Sequence, residues 1–568
     1  MVALAVGAVL TAFTGLARTP LCEPAEGLNA DIARTMIESG DWVVPRHNGY
    51  VYVDKPPLFN WVTTLGLRMF GDAELGARFG VALAGLGEVA LIYLLGNLLY
   101  GRPAGLLAAA VLATSVGHLV FARLMTVDTL FSTCLTATFL CFALGCAHER
   151  RRFRWWTLGG AAAGLAVLTK GLIGAVLPVV TIDLFVIATR QWRLLRPRAV
   201  TGAVLGFLVV ALPWHILMSL RVPGFAQHYF WNEQVSRFFS QREPVDFANV
   251  PRPEFLVSPW IWAVPWSFFL PQMIWCFRRS KRDEEDPAGQ LASCLPWLWL
   301  GSVVGFFALA QGRLFYYSLP GLAAFALLAG WFWSEIGQYD GKRFRLTLAL
   351  STLAGALHVP LVILGFQRFG AHAIPAVILQ QLLPHTIAIG GCLALGCIAG
   401  TGALLLRRHR IAFGALCCAV LASVVPITGV FGALGRYASL GTLVKSVHFA
   451  PAPDDIVVHR FVRDDTSELP FYLHHRVRIL KRPGELHQPI AGDAAGYYIE
   501  EDEFNRLWQS AQPVFLLVSQ PAMPEEKAEP LPPYATILAR DLDAYICCNA
   551  AAADRLRRHH SQATAPRA

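Results

Sequence analysis

The apolar positions of this chain fall in long unbroken runs, not in the short stripes of a water-soluble core. A bilayer span takes about 20 mostly apolar residues, and roughly thirteen such stretches lie before about residue 435. The two weakest are 155 to 173 and 291 to 311. The first run, MVALAVGAVLTAFTGLAR, lacks a basic leading segment and is followed by many others, so it reads as the first membrane helix and not as a signal peptide. From about residue 440 the pattern changes to short apolar strands separated by polar turns. IVVHRFV, RVRIL, PVFLLV, ATILA and AYICC predict strands and EDEFNRLWQS a helix. SQATAPRA at the end reads as disordered. The pattern predicts a polytopic α-helical membrane domain over 1–438 and a soluble α/β domain over 439–568, of about 130 residues, an ordinary domain size.

Composition agrees: 55% of the 568 residues are apolar and 15% charged. The net charge of +9 is spread over loops, with no basic block interleaved with aromatics, which argues against nucleic acid and for membrane lipids as partners. Of the 12 cysteines most lie in apolar runs, and the adjacent pair Cys547 and Cys548 has no framework or zinc spacing. Basic clusters recur at Arg150 to Arg154, Arg190 to Arg198, Arg278 to Arg282, Lys342 to Arg345 and Arg407 to Arg410, about two spans apart. Short cytoplasmic loops collect Lys and Arg, so these clusters are assigned to the cytoplasm together with the Arg102 turn. The opposite face then receives loop 21–77, the turn from Arg123 to Asp128, Lys170, loop 221–257, the turn from Gln311 to Tyr317, residues 367 to 384 and the C-terminal domain. Ionisable groups gathered at span edges on one face predict a site opening to that face and the adjacent lipid.

The first external loop carries two amphipathic helix patterns. In one, Leu28, Ile32, Met36 and Ile37 share a face and Asp31, Arg34, Thr35 and Glu38 another, as in a helix lying at the membrane interface. In the other, Pro56 and Pro57 open a stripe of Leu58, Trp61, Val62, Leu65 and Met69, with Asp54 placed to cap it. Lys55 then stands at a helix N-terminus, where amides and a cation suit a phosphate. Glu23 and Glu26 precede the first helix.

The segments GLNADIARTMIESGDWVVPRHNG and YVYVDKPPLFNW resemble the first periplasmic loop of the aminoarabinose transferases that modify lipid A, and more broadly the protein mannosyltransferase-like enzymes of the GT-C fold. RLMTVDTLF, VLTKGLIGAVLP, LPWHILM, HYFWNEQVSRF, VPWSFFLP, QGRLFYYSLPGLAAFALLA and, near the end, DDIVVHRF and LPFYLHHRVRIL extend the resemblance over nearly the whole chain. It implies inverting transfer of a sugar from a polyprenyl-phosphate donor to a lipid A-like glycolipid, or to protein, at the periplasmic side of a bacterial inner membrane. One position departs: the family carries Asp-Glu in the first loop, and here the pair is Ala25-Glu26, so the acid's role moves to Glu26.

That chemistry needs a group to receive the acceptor's proton and cations for the departing phosphate. The candidates are Glu26 and Asp128 as catalytic acids, Lys55, Lys170, Arg237 and Arg313 for the donor phosphate, and Tyr317 and Asp54 for substrate. Asp128 stands just inside an apolar run and needs a partner, with Arg123 or Lys55 as the structural alternatives to a site role. Glu233 and Arg237, spaced for one helix face, read as an intrahelical ion pair. No cofactor is required by the sequence, although Asp54, Asp128 and His228 are suitable ligands for a divalent metal if they converge. An O-antigen ligase or polymerase, or a lipid-linked sugar flippase, are the rival readings. The flippase would place its charges at mid-membrane on broken helices.

Overall fold

The computed structural model describes residues 2–22, 25–239, 241, 250–280, 286–339, 341–370, 376–460, 467–480, 496–519, 531–542 and 544–563. After α1 (Val2–Phe13) the first loop holds α2 (Ala25–Ser39), a hairpin of β1 (Arg46–His47) and β2 (Tyr50–Val51), and α3 (Leu58–Phe70). The membrane part continues through α4 (Glu74–Tyr100), α5 (Arg102–Ala113), α6 (Val116–Phe121), α7 (Val127–Ala147), α8 (Arg152–Lys170), α9 (Ile173–Thr189) and α10 (Pro197–Arg221). Beyond a π-helix at Gln227–Ser236 follow α11 (Arg252–Trp262), α12 (Leu270–Arg279), α13 (Pro287–Leu309), α14 (Pro320–Glu335), α15 (Lys342–Gly370), α16 (Ala376–Leu405) and α17 (His409–Ala438). Among the described residues six helices, α4, α7, α10, α13, α16 and α17, are long and apolar enough to cross a membrane, and α5 and α9 are shorter apolar helices. Both weakest sequence stretches are helical, as α8 and α13.

Each described basic cluster stands at a junction between helices, and the end of α8 at Lys170, the π-helix and the turn after α13 meet through Leu172 N to Gln234 and Gln311 N to Phe238 O. Lys281 and Arg282, and parts of loops 221–257 and 367–384, lie outside the described residues.

α3 turns apolar side chains outward and polar ones inward. Its apolar Leu65 and Met69 are 47% and 58% exposed, while Asn60, Thr63 and Thr64 are buried. An inside-out face of this kind is stable only where the surroundings are themselves apolar. The expectation for α2 is corrected: its polar Asp31 and Arg34 are buried, like Ile32 and Met36. The cover comes from the C-terminal domain. A Cβ at Gly27 would lie 2.4 Å from the Glu468 Cα, so only glycine lets the two backbones meet.

The C-terminal domain begins with α18 (Gly441–Ser446) and forms a six-stranded sheet, from β3 (Ile456–Arg460), β4 (Val477–Leu480), β5 (Tyr498–Ile499), β6 (Val514–Val518), β7 (Thr536–Asp541) and β8 (Ala544–Cys548). The order is β5-β4-β3-β6-β8-β7, parallel from β5 to β6 and antiparallel at β8 and β7. All five predicted strands and the helix at Glu501–Trp508 are present; β5 and a closing helix, Ala550–Ala563, were not anticipated. That helix includes the first residues of the tail expected to be disordered, and 564–568 lie outside the described residues. Cys547 and Cys548 are buried and unbridged on opposite faces of β8.

The domain is seated on the first loop by hydrogen bonds. The Asn48 side chain donates to Val477 O at 2.6 Å and accepts from Val477 N at 2.9 Å. Tyr472 Oη accepts from Leu21 N at 2.7 Å and donates to Glu74 at 3.1 Å. Burial, and then the neighbouring Glu74 charge, push the Tyr472 hydroxyl well above its ordinary range, so it stays a donor.

Candidate active site

The first group of ionisable side chains joins the segment before α3 to the π-helix. Asp54 Oδ1 lies 3.0 Å from His228 Nε2, which is 3.8 Å from Glu233 Oε1. Glu233 Oε2 lies 3.1 Å from Arg237 Nη1 and 3.5 Å from Lys55 Nζ. Asp54 therefore does not cap α3, whose N-cap is Pro57 with no side-chain bond; its carboxylate is engaged by the histidine instead. The π-helix explains the convergence. In an α-helix, positions five apart point about 140° away from each other, whereas the i→i+5 repeat of a π-helix stacks them. His228 and Glu233 thus face the same cluster. The segment is anchored beneath by Phe225 and Tyr229, which pack on Trp214. Burial, and then Glu233, raise the Tyr229 hydroxyl above its ordinary value.

The second group lies at the ends of α7 and α8. Lys170 Nζ makes a short bond to Asp128, and the ammonium sits 4.3 Å from the Tyr317 ring centroid, with Phe131 and Phe307 at 5.5 and 5.9 Å. An acid, an ammonium and three rings in van der Waals reach form a cation–π cage. Gly171, with φ +109°, turns the chain beside Lys170, and the next amide, Leu172 N, donates to Gln234 Oε1 at 3.0 Å. The π-helix therefore touches both groups. Asp128 pairs with Lys170 and not with Arg123 or Lys55, because α7 and α8 pack side by side and bring these two ends together.

Glu26 is buried and fully occupied. Arg78 donates through Nε to Oε1 at 2.8 Å and through Nη2 to Oε2 at 2.6 Å; Met125 N and Cys22 N supply the remaining bonds, at 3.1 and 3.0 Å. A carboxylate with four donors on it holds a turn in place and has little capacity left for a substrate hydroxyl. Arg313 donates to Val250 O at 2.8 Å and to Ala310 O, which ties the turn after α13 to the segment before α11. Asp128 does not join Asp54 and His228. The trio whose ligand atoms lie within 4.8 Å of one another is Asp54, His228 and Glu233, a donor set that suits a divalent cation.

Residues 54–216 match the profile of the dolichyl-phosphate-mannose-protein mannosyltransferases, and 446–548 that of the aminoarabinose transferase C-terminal domain. The undecaprenyl phosphate-alpha-4-amino-4-deoxy-L-arabinose arabinosyl transferase of Edwardsiella ictaluri is 30% identical over 391 residues, 66% of this chain and 68% of that one. The chain belongs to the aminoarabinose transferase family. A relative of the same description in Pseudomonas aeruginosa is 34% identical over 316 residues, about half of each chain (54%). In fold the transferase is similar to two crystal structures of ArnT from Cupriavidus metallidurans. The undecaprenyl phosphate-bound form has a TM-score of 0.76 at 23% identity and the apo form 0.77 at 24%, each covering 97% of this chain and 98% of the other. The architecture is the GT-C fold of a multi-pass membrane glycosyltransferase.

Two residues that hold these clusters, Arg78 and Gln234, went unread in the sequence, and Glu233 was read in part. Arg78 is one charge at the start of a long apolar helix, where nothing nearby marks its partner 52 positions earlier. Glu233 was assigned to its i,i+4 neighbour; that pair exists, but the carboxylate also reaches Lys55 and His228. Gln234 bears no charge, and sequence offers no signal for it.

Proposed function

We propose that the enzyme moves a sugar from a polyprenyl-phosphate carrier to a lipid A-like glycolipid at the periplasmic face of the bacterial inner membrane. The observation that carries this reading is a pair of cation sites joined by the π-helix, Lys55 and Arg237 on Glu233 and Lys170 on Asp128, with Gln234 bonded to Leu172 N beside Lys170. Relatives named for undecaprenyl-phosphate-linked aminoarabinose transfer support the donor class.

In the reaction an acceptor oxygen attacks the anomeric carbon, and the bond from that carbon to the carrier phosphate breaks. The phosphate leaves with its charge. Lys55 and Arg237, both held by Glu233, donate to the phosphate's oxygens, and Lys170, held by Asp128, adds a third cation. Asp128 receives or orients the acceptor's proton; its carboxylate is held by Lys170 and is not saturated with donors as Glu26 is. Glu26, clamped by Arg78, positions the 123–128 turn through Met125 N, and the acid missing at Ala25 leaves Asp128 as the reactive carboxylate. Asp54, His228 and Glu233 would hold a divalent ion, which would add positive charge beside Lys55. Tyr317 fixes the Lys170 ammonium, and Arg313 fixes the loop beside it.

The test is transfer of radiolabel from a set of polyprenyl-phosphate sugars to an envelope lipid fraction by the protein in proteoliposomes. Label should reach glycolipid with wild type and not with Lys55→Ala or Asp128→Asn. Label that crosses the vesicle membrane without leaving its carrier would overturn the reading in favour of a flippase.

A further inference from the structure

Arg123 is the anomaly of the structure. It stands in the turn between α6 and α7 and is only 4% exposed, with Nη1 donating to Leu119 O at 2.6 Å. Its Nε and Nη2 are buried and have no hydrogen-bond partner among the described residues. Among the described residues no carboxylate pairs with it: Asp128, five residues on, is taken by Lys170, and Glu26 is clamped by Arg78. A buried charge without a partner costs several kcal/mol. Burial draws the guanidinium's pKa down to about 10, which still leaves it charged at neutral pH.

The unpartnered side chain lines a small cavity of about 30 Å³, together with Thr19, Cys22, Glu26, Arg78 and Leu124. One water-sized site needs roughly 10–15 Å³ by the same measure, so the space accepts one or two oxygen atoms and not a whole headgroup. Its other lining residues are Thr14 and Gly15, just after α1, and Thr428 and Phe431 in the second half of α17. All four are half-exposed. Glu26 on the wall does not set a negative potential there, since Arg78 neutralises it through two bonds. Guanidinium groups with two adjacent donors available match the oxygens of a phosphate edge-on.

We propose that Arg123 and this cavity form an anion subsite that admits one edge of a phosphate group on a lipid of the outer leaflet, the glycolipid acceptor. The assignment rests on the transferase reading for the acceptor's identity, while the anion site itself does not. Geometry gives it a purpose. The turn from Arg123 to Asp128 carries the anion subsite at its first residue and the reactive carboxylate at its last, so an acceptor held at one end is presented to the other. The cations at Lys55 and Lys170 are left to the donor.

The experiment uses the full chain in detergent and native mass spectrometry. The probes are bis-phosphorylated lipid A, its dephosphorylated form, inorganic phosphate and undecaprenyl phosphate. Wild type should retain the phosphorylated glycolipid at least tenfold over the dephosphorylated one. Arg123→Gln should bring the two within twofold, Arg123→Lys should fall between, and Thr428→Trp, which adds bulk to the cavity lining and leaves the charge, should match Arg123→Gln. Undecaprenyl phosphate should bind all four proteins alike. If Arg123→Gln does not fold, Thr428→Trp decides. Retained preference in the folded variants, or no preference in wild type while transfer proceeds, would overturn the subsite and leave the transferase reading standing. Arg123-dependent preference without transfer to any acceptor would sink the transferase reading and keep the subsite. Inorganic phosphate binding as tightly as the lipid would overturn the assignment to a lipid headgroup.

Discussion

Arg78 holds Glu26 by both carboxylate oxygens, at 2.8 and 2.6 Å, with both side chains buried. The pair fixes the entry to α2 against the start of α4 and, through Met125 N, the turn that carries Asp128.

Removing one member of a buried pair of this kind costs about 3–5 kcal/mol, because the other is left charged and alone. Glu26→Ala should therefore lower the thermal midpoint of the purified protein as well as its activity. A variant with an unchanged midpoint and a reduced kcat would return Glu26 to the chemistry.

Asp128→Asn leaves size and shape intact but removes the charge facing Lys170. Loss of a positioned proton acceptor is worth roughly 10²–10⁴-fold in rate. We expect kcat for label transfer to fall within that range with little change in carrier binding. An unaltered kcat would exclude the role.

The Asn48 amide satisfies both Val477 N–H and Val477 C=O in the seam between the first loop and the C-terminal domain. Asn48→Ala strands both groups, at about 1–3 kcal/mol each. Hydrogen exchange at residues 474–480 should accelerate, and a protected Val477 amide in the variant would show that the seam is held elsewhere.

His459 in β3 lies between Ser467 Oγ, 2.8 Å from Nδ1, and Ser519 Oγ, 2.7 Å from Nε2. Burial lowers its pKa to about 4. The folded value is below the unfolded one, so the unfolded chain binds the proton first. The neutral ring's contribution is complete above about pH 6.5 and is lost as pH falls toward 4, at about 1.4 kcal/mol per unit. Wild type should lose unfolding free energy over that window, and His459→Asn should show a flatter slope. Equal slopes would mean that other groups set the acid limit.

The helical membrane part, the sheet and the polar face of the site were legible because each depends on local pattern: run length, alternation and loop charge. Lys55, Asp128 and Lys170 were conspicuous as candidates because a charge at the edge of an apolar run is costly. What the pattern did not carry was pairing. The sequence offered Arg123 or Lys55 as partners of Asp128, and helix packing brings Lys170 to it instead. The same holds for α2, whose polar stripe looked solvent-facing because its cover lies in a different domain. The convergence of His228 and Glu233 depended on a π-helical repeat, which a reading in turns of 3.6 misplaces.

Asn48 and Val477 meet across 429 positions of chain. At about 5–20 residues per second of synthesis, the first loop waits roughly 20–90 s for the domain that covers it. During that interval the Asp31 and Arg34 side chains have no roof and Gly27 no neighbour. A nascent chain released before the sheet is made therefore carries the acids and cations of the site in the membrane without the lid that sets their loop, so catalytic competence arrives last and signals that translation ran to the end of the sheet.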